Sequence, residues 1–227
     1  MARTVNPAIY AIRREAFVDV AQHLIETMGY EPMSIRDVLS ELNASRGAFY
    51  HYFDSKAALL EAVIERMTDQ ALASVAPLLA DPDVPADQKL AGVFSGIARW
   101  KSERTDLVLA LIDVWTSDGN AIVREKFRQG LVDRLAPVLA GVIRQGVAEG
   151  VFSVRSPDGA ARVLVSIIQG AGETATQLYF DRTADRIPFE AVEPALAAYS
   201  DAYERVLGIP AGSLPIADEQ ILRQWFG

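Results

Sequence analysis

The sequence predicts an all-α protein in two parts, a small N-terminal helical domain followed by a larger C-terminal helical one. Three observations predict it. Apolar residues recur at helical spacing in segment after segment, no stretch sustains the period-two alternation of a half-buried strand, and Gly, Pro, Asn or Ser stands where one segment gives way to the next. There is no internal repeat and no low-complexity segment. With 227 residues, 50% of them hydrophobic, the chain can bury a substantial core.

Residues 6–29 read as the first helix, with Ile9, Ile12, Phe17, Val20, Ala21, Leu24 and Ile25 as its apolar stripe and Gly29 as its stop. In the next segment Ile35, Val38, Leu39 and Leu42 fall at i, i+3, i+4 and i+7. Ser34 stands ahead of them as an N-cap, and Asp37 occupies the capping-box position where Glu is more usual. Asn43 tolerates the left-handed conformation that ends a helix, and Ser45 can cap the helix that follows. That helix carries Arg46, Gly47 and Ala48 in its first turn, a long cation beside two small residues. Phe49 and Phe53, four apart, turn inward, which leaves Tyr50, His51 and Tyr52 directed elsewhere. A short amphipathic helix, a tight polar turn and an aromatic-rich helix form a helix-turn-helix, a shape that presents its second helix to the DNA major groove.

Ser55 caps a long helix that reaches about residue 79, and Pro82 and Pro85 mark the clearest linker. The functional division is placed near residue 60, giving a helix-turn-helix domain of residues 1–60 and a second helical domain of residues 61–227, for which the family resemblance given below implies effector binding and dimerisation. Further helices are expected at 86–102, 105–116, 119–149, 157–181, 188–207 and 217–226, the last four separated by Gly150, Pro157, Pro188 and the run 208–215. Pro137, inside one of them, is expected to kink it.

Residues 13–60 resemble the DNA-binding domain of the TetR family of one-component transcriptional regulators. Carrying the resemblance are Arg14, Ala21, Leu24, Gly29, Tyr30, Ser34, Ile35 and Val38, the run from Ser45 to His51, and Phe53, Ser55, Lys56, Leu59 and Leu60. Asn43 stands where the family usually has Gly, Ile25 where it has Phe, and Ala57 where an acidic residue is common. Beyond about residue 65 the likeness rests on helix count and length alone. The resemblance implies a homodimeric regulator, a repressor more than an activator, that binds double-stranded DNA at a near-palindromic operator. It implies that Arg46, Gly47, Ala48 and Tyr50 approach the major groove, Arg46 reading a base. Ser34, Arg36, Ser45, Tyr50, His51, Tyr52 and Lys56 would hold phosphates.

The net charge of -8 runs against the basic character usual for polyanion binders. Residues 1–60 hold six cations (Arg3, Arg13, Arg14, Arg36, Arg46, Lys56) against seven acids, so the placement of the cations matters more than their sum. With no cysteine, disulfides, thiolate metal sites and cysteine nucleophiles are excluded. No apolar run approaches the roughly 20 residues of a membrane span, and the N-terminus lacks a signal-peptide apolar region. A cytoplasmic protein without membrane contact is expected.

In the C-terminal part, Val163, Leu164, Ile167, Ile168, Ala171, Ala175 and Leu178 with Gly170 and Gly172, and then Phe189, Val192, Leu196, Tyr199, Tyr203 and Leu207, form long apolar rows on two successive helices. They serve either the monomer core or, as the resemblance implies, a four-helix dimer interface. Trp100, Leu107, Leu111, Asp113, Trp115 and Phe127, with Gln169, Glu173, Thr176 and Gln177, are candidates for an apolar cavity holding a small-molecule effector; ordinary core packing is the competing use of the aromatics. Glu173, a carboxylate on an otherwise apolar helix, requires a partner, an arginine or a ligand. Neither histidine, His23 or His51, has a nucleophile or metal constellation around it, so neither an enzyme nor a cofactor is expected. Gly92 and Gly96 read as a close helix contact. The alternative reading is a helical small-molecule-binding or scaffold protein that has lost DNA binding.

Overall fold

A computed structural model describes residues 6–214 and 219–227, with every side chain in them except those of Asp113 and Asp118. Arg3, the last residue of the run 208–215 and the first two residues expected of the final helix lie outside the described residues. Ten α-helices are described: α1 Pro7–Met28, α2 Ile35–Glu41, α3 Arg46–Tyr52, α4 Lys56–Ala80, α5 Ala86–Ser102, α6 Thr105–Thr116, α7 Ala121–Glu149, α8 Pro157–Thr183, α9 Val192–Leu207 and α10 Glu219–Phe226. Two of the expected helices, 119–149 and 188–207, begin as short 3₁₀ turns, Asp118–Asn120 and Phe189–Ala191. No strand occurs among the described residues.

The caps stop and start these helices where local chemistry requires. Asn6 accepts the Ala8 N–H at 3.0 Å and Pro7 opens α1, a position where a missing N–H costs nothing. Gly29 ends α1 at φ +84°. Ser34 and Asp37 form a full capping box, Ser34 N–H donating to Asp37 Oδ2 at 2.8 Å and Asp37 N–H to Ser34 Oγ at 3.3 Å. Asn43 takes the left-handed conformation, φ +47°. Ser45 and Ser55 cap the next two helices through the N–H groups of Ala48 (3.2 Å) and Ala58 (3.0 Å). Both Pro77 and Pro137 lie within continuous α-helix.

The chain divides into two compact units that do not follow linear order. The first joins Met1–Asp69 to Arg104–Phe127, and the second joins Gln70–Glu103 to Arg128–Gly227. In the first unit Phe17, Val18, Ala21, Ile25, Val38, Phe49, Phe53, Leu59 and Leu60 are buried. α6, remote in sequence, packs on α1. Arg66 of α4 pairs with Asp19 and donates to Gln22 and to the Val18 carbonyl, tying α4 to α1. Lys126 binds both oxygens of Glu61 at 2.7 and 2.9 Å. The α1 stripe starts later than its periodicity suggests: Ile9 and Ile12 are 54% and 70% exposed, because the buried part of α1 begins at Phe17.

In the second unit the core gathers Leu90, Leu139, Ile143, Leu164, Val165, Tyr203 and Leu207. The two glycines of α5 serve close packing, since a Cβ at Gly92 would collide with Leu78 and one at Gly96 would press on Val75. Two buried charged groups have built partners. Glu204 accepts the N–H groups of Gly212 (2.9 Å) and Leu214 (2.8 Å), and Lys89 donates to Gln145 at 2.9 Å. α10 closes a satellite cluster, with Leu222 and Phe226 against Val192 and Leu196.

Glu149 caps α5 from the end of α7. Its carboxylate accepts the Ala86 N–H at 2.9 Å and Gln145 Nε2 at 2.6 Å, and these bonds, the backbone one foremost, hold it below the ordinary glutamate range. A depressed carboxylate contributes stability that is complete above the unfolded value, about 4.3, and is lost as pH falls through its lower folded value. The melting temperature of Glu149→Gln should therefore lie below the parent's near neutrality and converge on it as the solution is acidified past that value. A gap that stays constant with pH would assign Glu149 no titrating role.

Candidate nucleic-acid interface

α3 has seven residues and is held by one face. Phe49 and Phe53 pack on Phe17, with ring centroids 5.8 and 6.1 Å away. At helical spacing this turns Arg46, Gly47, Tyr50 and His51 to solvent, while Ala48 is half-buried. Arg46 and Arg36 are exposed and form no salt bridge among the described residues, although the Arg36 charge acts on its neighbour Asp37. Ser45 Oγ accepts from Ala48, which leaves its hydroxyl proton available.

The other expected phosphate contacts are more engaged than their sequence implies. Ser34 is exposed, yet its hydroxyl donates to Asp37 Oδ2 at 2.6 Å, and that bond is the foremost cause holding the Asp37 carboxyl below the ordinary range. Tyr52 is half-buried, its ring 4.8 Å from Tyr10 and 5.6 Å from Phe17. His51 is exposed but leans edge-on against Tyr10 (5.5 Å) and Tyr52 (4.9 Å). Lys56 at the start of α4 donates to the Glu31 carbonyl at 3.2 Å and sits 4.0 Å from the centroid of the Tyr30 ring. Burial lowers its pKa, opposed in part by the Glu31 charge.

Sequence reasoning missed the contacts of Tyr10, whose ring packs on those of His51 and Tyr52, and of Glu31, whose carbonyl takes the Lys56 ammonium. Tyr10 could have been found, seven residues before Phe17 on one helix face; the Glu31 contact carries no local signal.

The effector candidates divide between the units. Leu107, Leu111, Trp115 and Phe127 belong to the first, where Leu107 is buried and the Trp115 and Phe127 rings meet edge-on at 4.9 Å. The side chain of Asp113 lies outside the described residues. Trp100, Gln169, Glu173, Thr176 and Gln177 belong to the second. There Glu173 is exposed and faces Arg128 at 3.4 Å, while Gln169 donates to the Arg128 carbonyl at 2.7 Å. Thr176 donates back to the Gly172 carbonyl at 3.0 Å, and Gln177 to Asp181 at 3.1 Å.

Residues 17–63 match the family described as "Bacterial regulatory proteins, tetR family". Residues 17–63 are thus a tetR-family domain. It is 39% identical over 59 residues to an uncharacterized HTH-type transcriptional regulator in the lacX 3' region of Lactococcus lactis subsp. lactis, which covers 25% of this chain and 30% of that one. It is 30% identical over 105 residues to the HTH-type transcriptional regulator BetI of Klebsiella pneumoniae (strain 342), covering 46% and 52%. The chain thus spans about a third and about half of the length of these relatives. The likeness of fold extends further than that of sequence. The structure of a SmeT–triclosan complex superposes with a TM-score of 0.60 at 20% identity, covering 91% of this chain and 98% of that one. No described helix is long and apolar enough to cross a membrane, and no group of three or more His, Asp or Glu among the described residues could hold a metal.

Proposed function

We propose that this tetR-family chain is a non-enzymatic transcriptional regulator, a repressor, that binds a near-palindromic DNA operator as a homodimer and leaves it when a small-molecule effector binds. The observation that carries the reading is the solvent face of α3, where Arg46 stands exposed beside Gly47 with no carboxylate partner among the described residues, while two phenylalanines fix the helix from behind. Residues 1–60 supply the DNA contact and residues 61–227 the effector and dimer contacts. In this reading Arg46, Gly47, Ala48 and Tyr50 enter the groove, and Arg36, Ser45, His51, Tyr52 and Lys56 hold phosphates, joined by Ser34 if its hydroxyl leaves Asp37. Two recognition helices related by a two-fold axis read half-sites about one DNA turn apart. The effector reading has support in SmeT, a protein of this fold that is in complex with triclosan. An effector preferring the conformation whose recognition helices are mis-spaced for DNA shifts the population away from it.

The test is binding of the full chain to the intergenic DNA flanking its gene, across a salt series, against random duplex of equal length. Tight specific binding at two chains per site is expected; equal weak binding to both duplexes would favour the alternative, a helical ligand-binding or scaffold protein, which the net charge of -8 supports. Lys56→Ala should weaken every operator variant alike and flatten the salt slope by about one unit. An unchanged slope would remove Lys56 from the phosphate contacts.

A further inference from the structure

The α6–α7 turn reaches the start of α4 through one buried amide. Asn120 is 7% exposed and lies in the 3₁₀ turn Asp118–Asn120, within the same compact unit as α3. The turn is fixed: Arg124 donates to the carbonyls of Trp115 (2.7 Å) and Ser117 (2.8 Å), and Asn120 N–H donates to the Ser117 carbonyl at 3.1 Å. From it Asn120 Nδ2 donates to the Val114 carbonyl at 3.2 Å and to Glu31 Oε1 at 3.4 Å. Glu31 is the same residue whose backbone carbonyl takes the Lys56 ammonium at 3.2 Å. The Glu31 carboxylate is therefore bonded by Asn120 while its backbone carbonyl is bonded by the Lys56 ammonium. Its charge already acts on Lys56, against the larger effect of burial.

We propose that Asn120 is a positioning residue for the DNA-backbone contact of Lys56: by donating to the Glu31 carboxylate it keeps that acid from pairing with the Lys56 ammonium, which stays available to a phosphate. The inference rests on the proposed role of Lys56. A carboxylate next to a phosphate-binding lysine both neutralises the cation and repels the DNA, so its restraint has a direct electrostatic consequence. Without Asn120 the short step from Glu31 to Lys56 is open, because the two already share a backbone contact.

The experiment uses the full chain and a duplex selected by it from random-sequence DNA, with affinity read across a salt series and stability read by thermal melting. Asn120→Ala should bind several-fold more weakly and lower the slope of log K against log salt by about 0.9, the share of one phosphate. Adding Glu31→Gln should restore both, since the amide cannot neutralise Lys56. Asn120→Ser, whose short hydroxyl cannot span the distance to Glu31, repeats the test if Asn120→Ala does not fold. The inference is overturned if either variant lowers only the melting temperature, or if its loss persists with Glu31→Gln. Lys56→Ala separates the layers: a flattened slope there with none in Asn120→Ala defeats this inference alone, while an unchanged slope in Lys56→Ala defeats the reading of Lys56 and this inference with it.

Discussion

Phe49→Ala should destabilise the first compact unit by about 3–5 kcal/mol, the range for emptying a buried phenylalanine site, and abolish DNA binding. Phe49 is fully buried and its ring meets those of Phe17, Tyr50 and Phe53 at 5.8, 5.3 and 5.8 Å. The cost reaches function because α3 is seven residues long, well under the roughly 12–15 residues at which an isolated helix becomes marginally stable in water. Tertiary packing keeps it helical, and Phe49 is the centre of that packing. Hydrogen exchange should show protection lost in α1 to α3, with the unit that holds Tyr203 unaffected. Phe49→Leu, which refills part of the space, should cost less and keep some binding. A loss below about 1 kcal/mol with binding intact would show that α3 is held by other contacts.

Helix ends were legible in the sequence because their causes are local: Ser34 and Asp37 lie three residues apart and find each other whatever the rest of the chain does, and Asn43 at φ +47° needs only its own side chain. The recognition helix was legible for the same reason, being one contiguous turn-and-helix with its two anchors four residues apart. Tertiary choices were not. Nothing in residues 104–127 announces that they join the N-terminal unit, because that depends on which apolar face meets α1. The buried ammonium of Lys89 is met by Gln145, 56 residues away, with the Glu149 carboxylate acting on it as well. Periodicity assigned Ile9 and Ile12 to a core that begins only at Phe17, since an apolar stripe cannot say how much of its length another element covers. Glu173 needs an arginine or a ligand as partner and meets Arg128, but residue type alone could not say which arginine it is or that the pair lies at the surface.

Arg46→Ala should weaken operator binding by about 1–3 kcal/mol and relax the preference at one base pair, leaving the others unchanged. Arg46 opens α3, directly after the Ser45 cap, and the first turn of a recognition helix is the part that reaches base edges. Gly47 beside it carries no side chain to hold the backbone away, and the guanidinium is exposed, with no acid among the described residues to compete for its donors. A planar fork of donors matches the two acceptors that guanine presents in the major groove, so the loss should fall on a G·C pair and be absent from operators already changed there. Arg46→Lys should recover part of the affinity without the preference, because a point charge attracts the duplex but cannot make the paired contact. Measuring each variant against operators altered one base pair at a time decides the matter. An equal loss on every operator, with a flattened salt slope, would place Arg46 on the phosphate backbone and move base readout to Tyr50 or Ala48.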